Sequence, residues 1–364
     1  MVSNDLFTDQ RVHKVCSYLH NRGYKVRLYG RKLPDSISLK GRPYKTRRYK
    51  MLFNQGPLFY ACLNLRFFFT LLFTKTDFIL CNDLDTLLAG KLAHSLKRNC
   101  TLVYDSHEFY TGVPELVNRP KVQAVWVKIE KWIFPKLDKI YTVNESIAKL
   151  YKELYQKELV VLRNISPKRL VTCVIKKAEI DIPEDKKIIV FQGAGINVDR
   201  GAEEAVEAMK TVDNAVLLFV GDGDVIPFLK EKVEKEKLHD RIRFFGKQSY
   251  EEMMKYTTLA DIGLSLDKGN NVNYVNSLPN KIFDYIQAGT PVLASNIKEV
   301  SAVVLKYQVG EILDTVDAKS LSEKLNSMLS DTEKQQFYRI NCLKTAEKLC
   351  WEEEVRVLDN IYPL

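Results

Sequence analysis

Apolar residues along this chain follow two rhythms. Val12, Val15 and Leu19, spaced three and four apart, predict a helix over residues 10–22. Gly23 ends it, and residues 24–29 read as a strand. Residues 77–81 read as a strand, because the run after Asp77 is unbroken apolar, the mark of a strand buried on both faces in a parallel sheet. A helix over 86–96, a strand over 101–104, a long helix over 115–135 bearing Trp126 and Trp132, a strand over 139–143, a helix over 145–155 and a strand over 159–162 follow. Residues 1–3 read as the end of a first strand without the apolar run expected before it, which suggests a clipped or mis-assigned start. Strand, helix, strand in repetition predicts a doubly wound sheet.

Residues 167–186 carry no strong period and include Pro183, so they read as a linker. The rhythm then restarts. Strands are expected at 187–192, 215–220, 241–245 and 260–266, with a helix from the loop at 193–201 to about residue 210. Residues 317–350 read as helical and 351–362 as a last helix. The expected organisation is a first α/β domain over 1–166, a second over 167–349 and a terminal helix over 350–364 that crosses back onto the first.

Residues 273–295, NYVNSLPNKIFDYIQAGTPVLAS, carry the most structured local signal. They read as loop, helix, tight turn and strand. Ser277 can cap the helix, Pro279 suits its first turn and Gly289 ends it. At about 100° per residue, Ile282, Phe283 and Ile286 share the buried face. Lys281 and Asp284 then face outward at the mouth of the sheet, where such sheets bind ligands. A carboxylate suits sugar hydroxyls, and an ammonium beside helix N–H groups suits phosphate.

Composition narrows the classes. Seven cysteines without a CxxC pair argue for reduced thiols in a cytoplasm rather than a disulfide framework or a zinc site. Residues 1–166 hold 28 Lys and Arg against 14 Asp and Glu, a net +14, while the remainder is −5. Such asymmetry suggests nucleic acid or anionic membrane as partner, and no zinc-finger, RNP or helix-turn-helix pattern supports nucleic acid. Arg31, Lys32, Lys40, Arg42, Lys45, Arg47, Arg48 and Lys50 crowd residues 31–50. The aromatic segment 57–74 follows, with Asn64 and Arg66 at its centre, which makes spanning a bilayer costly. It reads as a buried crossover helix, or as one whose outer face lies in a membrane interface.

Polar residues just past strand ends are candidate site residues. In the first half these are Asp5 and Asp9, then Asn82, Asp83 and Asp85, then Asp105, Ser106, His107 and Glu108. In the second half Gly193-Ala194-Gly195 leads to Arg200 and a helix. Glycines there let backbone approach a phosphate. GAG is not GxGxxG, which counts against a dinucleotide enzyme. Gly221 and Gly246 follow the next two strands, and Asp267 follows the strand at 260–266.

NDLDTLLAG, YDSHEFY and SLPNKIFDYIQAGTPV resemble the matching segments of retaining GT-B glycosyltransferases of family 4, as found in bacterial surface-polysaccharide synthesis. The resemblance implies a GT-B α/β architecture, with two Rossmann-like parallel-sheet domains facing a cleft. It also implies sugar transfer from a UDP- or GDP-sugar to a glycan or lipid-linked acceptor. That family has two acidic residues with seven between them. Asp284 stands at the second position, which grips the ribose, and Asn276 at the first. By resemblance Ser277, Leu278 and Pro279 line the donor, Gly193, Gly195, Gly221 and Gly246 meet the nucleotide, and Arg200 and Lys281 meet the diphosphate. His107 approaches the sugar, and Asp5, Asp9, Asp83 and Glu108 lie on the acceptor side. Asp267 is a candidate substitute for the missing acid.

The resemblance implies no cofactor and no metal. The cysteine usage places the enzyme in the cytoplasm, and the basic half makes an anionic membrane surface, the inner face of the plasma membrane, its expected partner, with no nucleic acid. Two other classes stay open: a nucleotide-sugar epimerase of the same fold, and a non-catalytic subunit that only binds a nucleotide sugar.

Overall fold

The computed structural model describes the chain except residues 8, 35, 40, 169–174 and 364, and except the side chain of residue 114. It divides into two compact units, Met1–Asn164 with Val355–Leu364, and Ile165–Glu354. Part of the expected linker lies outside the described residues. Ile165 and Ser166, expected in the first domain, belong to the second unit, where Ile165 is fully buried among the core residues Ile188 and Val190. Trp351 N donates to Ser166 O at 2.9 Å, so the residues just after 349 also stay with the second unit.

In the first unit the strands are β1 (Arg27–Arg31), β2 (Lys45–Tyr49), β3 (Phe78–Asn82), β4 (Thr101–Ser106), β5 (Lys139–Thr142) and β6 (Val160–Val161). The helices are α1 (Gln10–Asn21), α2 (Gly56–Leu72), α3 (Leu84–Ser95), α4 (Pro114–Val117), α5 (Pro120–Ile133) and α6 (Glu145–Tyr155). All strand pairs are parallel, in a four-stranded sheet β3-β4-β5-β6 and a separate pair β1-β2. β2 is an addition to the expected elements, because its Lys and Arg residues mask the strand pattern. Its Tyr49 is buried while Lys45 and Arg47 point to water.

Residues 1–3, expected as strand, are not assigned as one. Their backbone nevertheless lies between the two sheets. Met1 N donates to Leu80 O at 2.8 Å, Asn82 N to Met1 O at 3.2 Å, and Val2 N to Tyr29 O at 3.0 Å. A cavity of about 340 Å³ lies alongside, lined by Leu28, Phe78, Ile79 and Tyr362 among others. The expected long helix over 115–135 is broken into α4 and α5 at Pro120, which has no N–H to continue it.

The second unit carries β7 (Lys187–Gly193), β8 (Ala215–Gly221), β9 (Ile242–Phe244), β10 (Ile262–Ser265), β11 (Val292–Ser295) and β12 (Gly310–Leu313). These form one parallel sheet in the order β12-β11-β10-β7-β8-β9. The order reverses between β7 and β10, so their C-terminal ends form the switch point at which such sheets bind ligands. The helices are α7 (Ala202–Ala208), α8 (Ile226–Lys235), α9 (Tyr250–Leu259), α10 (Val272–Val275), α11 (Asn280–Ala288), α12 (Lys298–Tyr307), α13 (Ala318–Ser330), α14 (Thr332–Ala346) and α15 (Trp351–Glu354). The helical stretch expected over 317–350 is two helices, because the Asp331 side chain accepts from Lys334 N and starts α14.

The expected last helix is one short turn, α15, followed by a tighter turn over Val355–Asn360. The tail is held within the first unit: Arg22 donates to Tyr362 O at 2.9 Å, and the Phe78 and Tyr362 rings lie 5.2 Å apart.

Candidate functional site

The second unit gathers its polar residues at the β7/β10 switch point. Gly193 closes β7, and a loop returns through Arg200 to α7. A Cβ at Gly193 or Gly195 would meet no atom of the described residues closer than 3.7 Å, its chain neighbours aside. The protein itself therefore does not demand glycine there, and the space over this loop is open. Gly201 and Gly221 differ. Gly201 has φ +77°, and its Cβ would sit 2.4 Å from Leu266. Gly221 has φ +141°, and its Cβ would sit 1.8 Å from Gly193 O. These two glycines hold the loop against its neighbours. Gly246, with φ +63°, follows β9, two strands from β7, and so stands apart from this group.

Arg200 donates from Nη1 to Asp267 Oδ1 at 2.8 Å, and its guanidinium lies 4.4 Å from the Tyr274 ring centre. Asp267 is 1% exposed, and its Oδ2 has no hydrogen-bond partner among the described residues. Lys281 Nζ sits 4.6 Å from the Phe191 ring centre. Burial pulls the Lys281 ammonium down from its ordinary range; Asp267 opposes that and Arg200 adds to it. Two cations, both partly exposed, and one buried carboxylate thus share a corner of the unit. Charge interactions there are several-fold stronger than in water.

Helix α11 differs from its sequence reading. Ser277 does not cap it: its hydroxyl donates to Tyr274 O at 2.9 Å, and Pro279 occupies the N-cap position without a side-chain bond. Asp284 does not face outward. It is 7% exposed and accepts from Ser166 Oγ at 2.5 Å, Tyr250 OH at 3.0 Å and Gln192 Nε2 at 3.1 Å. The helix lies under α9 and α14 as well as on the sheet, so nearly every face meets protein. Asn276 donates to Val272 O at 2.7 Å, and Leu278 packs partly on the core.

The first unit has its own cluster at the ends of β3 and β4. Asp83, at φ +60° and ψ 165°, is a strained position for a non-glycine residue. Its Oδ1 accepts from His107 N at 2.9 Å, and its Oδ2 is 3.2 Å from His107 Nδ1. His107 Nε2 is 3.2 Å from Asp105 Oδ2, without hydrogen-bond geometry. Burial disfavours the charged ring, but the two carboxylates outweigh it and raise its pKa to about 9. Burial raises Asp85 and Glu108 to about 7, with Asp83 adding to both.

Asp105 is fully buried and held by Arg11, at 2.8 Å from Nη2 and 3.0 Å from Nε. Asp105 is one of the strand-end acids expected from the sequence, but Arg11 was not among the sequence candidates. The available signal was Arg11 itself, a cation four residues before Val15 on the apolar face of α1. Asp5 and Asp9, expected on the acceptor side, have structural partners. Asp5 accepts from Phe7 N and pairs with Arg48 at 3.3 Å, and Asp9 caps α1 through Val12 N.

Comparison with known proteins adds the family. Residues 175–344 match the profile described as Glycosyl transferases group 1, and residues 9–165 match Glycosyltransferase Family 4. A lipopolysaccharide core biosynthesis glycosyltransferase, LpsD of Rhizobium meliloti (strain 1021), is 24% identical over 200 residues, covering 54% of this chain and 55% of that one. The chain spans about half the length of the curated relatives it matches.

Among solved structures, Anabaena Alr3699/HepE in complex with UDP and glucose is similar with a TM-score of 0.78. It is 13% identical and the match covers 99% of this chain and 97% of that one. A sucrose-phosphate synthase from Thermosynechococcus elongatus gives 0.75 at 19% identity, covering 97% and 92%. The fold is GT-B. The chain belongs to the family 4 glycosyltransferases.

Proposed function

We propose that this protein is a retaining glycosyltransferase that moves a sugar from a UDP- or GDP-sugar to a glycan or lipid-linked acceptor in cell-surface polysaccharide synthesis. It works in the cytoplasm and reaches its acceptor as a peripheral protein on an anionic membrane face. The observation that carries the reading is the Arg200–Asp267–Lys281 cluster at the switch point, beside the open loop at Gly193 and Gly195. Charge develops on the leaving diphosphate as the sugar departs. Fixed cations in a partly buried corner stabilise it without reorganising, so no metal is assigned to this step. The resemblance to a lipopolysaccharide core transferase and to a protein crystallised with UDP and glucose supports the substrate class.

The roles are assigned unit by unit. In the second unit Arg200 and Lys281 meet the diphosphate, and Asn276 and the turn 277–279 line the donor. Asp284 anchors the ribose by exchanging one of its present partners for a ribose hydroxyl. In the first unit Asp83, His107 and Glu108 are the sugar- and acceptor-facing groups.

The test is a thermal-shift screen against UDP, GDP and their sugars, followed by transfer assays on the sugar that binds. A ligand specific to the folded state must raise the melting point. Arg200→Ala is expected to lower turnover roughly 100-fold or more. Unchanged turnover in both Arg200→Ala and Lys281→Ala would overturn the reading. Conversion of the donor sugar without an acceptor would instead identify an epimerase.

A further inference from the structure

Helix α2 has two apolar faces. Phe59, Leu63, Phe67 and Leu71 are buried at 5% exposure or less. Asn64, at mid-helix, is tied to α3 through Asp85 O at 2.8 Å and Ala89 N at 2.9 Å. The opposite side is as apolar but faces solvent. Leu58, Leu65, Phe69 and Phe73 are 58, 57, 48 and 83% exposed. At 100° per residue these positions fall within an arc of about 80°, a single stripe along the helix. Leu52 and Phe53, 89 and 43% exposed, precede the stripe in sequence. Single exposed apolar residues are ordinary on a protein surface; a row of them along one helix marks an interaction surface.

The charges around the stripe select the partner. Residues 36–76 contain eight Lys and Arg and no Asp or Glu. Arg66, on α2, and Arg47, on β2, lie 4.7 and 5.0 Å from the Tyr49 ring centre, which places both beside the stripe. Lys97 donates to Thr74 O at 2.9 Å, at the end where α2 stops. Long cationic side chains can lie along an apolar surface while their heads reach phosphate. No helix among the described residues is long and apolar enough to cross a membrane. A helix packed on one side, apolar on the other and set in a stretch of chain whose charges are all cationic has the features of one lying in the headgroup layer.

We propose that the outer face of α2, with the cations of residues 42–50 and Arg66, is a docking surface for an anionic lipid bilayer. Leu65, Phe69 and Phe73 enter the acyl boundary while Arg47 and Arg66 meet lipid phosphate. This deepens the reading above by naming the surface through which the protein reaches a lipid-linked acceptor, and rests on it only for that purpose. Binding is measured without donor or acceptor, so its failure leaves sugar transfer untouched.

The full chain is sedimented with phosphatidylcholine vesicles, with and without phosphatidylglycerol, at low and high salt. It is expected to co-sediment with the anionic vesicles at low salt and to be released as salt rises. The double variant L65Q/F69Q is expected to lose about tenfold in vesicle affinity with an unchanged melting point, because both side chains are exposed. R47Q/R66Q is expected to lose the salt-sensitive part of the binding. No binding to anionic vesicles at low salt, or equal binding by L65Q/F69Q, overturns the proposal. So does a dimer that light scattering shows to dissociate in L65Q/F69Q while vesicle binding is unaffected, since the stripe would then cover a second copy of the chain.

Discussion

Arg200 and Asp267 form a charge-assisted hydrogen bond of 2.8 Å, and the carboxylate side of the pair is almost fully buried. An acid beside a phosphate-binding cation has an electrostatic cost and a positional benefit. The guanidinium is also laid on the Tyr274 ring, so its plane is fixed from two directions. The positional effect is expected to win. Asp267→Ala should weaken nucleoside diphosphate binding about tenfold, the value of one misplaced charged hydrogen bond. Asp267→Asn keeps an acceptor for Nη1 and should restore binding. Calorimetric titration of both variants decides, and equal weakening in both would contradict a positional role.

Asp284 makes a second expectation concrete. Three donors converge on its carboxylate, and none of Ser166, Gln192 and Tyr250 is provided with a substitute acceptor by an alanine. Asp284→Ala should therefore reduce the stability of the second unit by roughly 2–3 kcal/mol, the cost of unsatisfied buried polar groups. Asp284→Asn should cost less, because one acceptor oxygen remains. Urea unfolding measures it. A stable Asp284→Ala that had lost only nucleotide binding would show that the carboxylate serves the ligand and not the fold.

These cases show where sequence was legible. Most strands of both units, and helices such as α1, α3, α6 and α11, followed from apolar runs and three–four spacing because parallel strands are buried on both faces, whereas β12, α9 and α12 were not among the expected elements. The position of Arg200 and of the glycine loop followed from the same rhythm. The direction in which side chains point did not. Helix α11 looked two-faced because Lys281 and Asp284 are charged, yet α9 and α14 cover what would have been its wet side. Likewise β2 was hidden by its own cations, and Asp105 read as one acid among several until Arg11 on α1 was found against it. Pattern reports which residues are apolar. It does not report which polar residues have found partners on distant elements.

Gly221 gives a test of the loop geometry. Its φ of +141° lies outside the range that L-residues favour, and a Cβ would fall 1.8 Å from Gly193 O. The clash is with backbone, which cannot rotate away. Gly221→Ala is expected to destabilise by roughly 3 kcal/mol or more, from overpacking and backbone strain together. Gly195→Ala, with open space around it, should leave the unfolding midpoint nearly unchanged and weaken nucleotide binding instead. Parallel denaturation and binding curves for the two variants check the contrast. Similar losses of stability in both would mean that the open space at Gly195 has no bearing on ligand approach.

His107 makes the first unit's stability depend on pH. Its pKa is about 9 in the folded protein, above the ordinary 6.5. The folded state therefore holds the proton more tightly than the unfolded chain. Its stabilising contribution is complete below about pH 6.5, declines through the interval and is gone above about pH 9, a total on the order of 3 kcal/mol. Asp85 and Glu108 have folded pKa values of about 7, raised from 3.8 and 4.5. They bind protons more tightly when folded, so they also lose stability with rising pH, but between about pH 4 and pH 7. The melting temperature should accordingly fall in two overlapping steps from mildly acidic to alkaline pH. His107→Gln should flatten the upper step and leave the lower one; Glu108→Gln should reduce only the lower. Thermal melts across the range measure this. An upper step of the same size in His107→Gln would show that the ring between Asp83 and Asp105 is not the group that titrates.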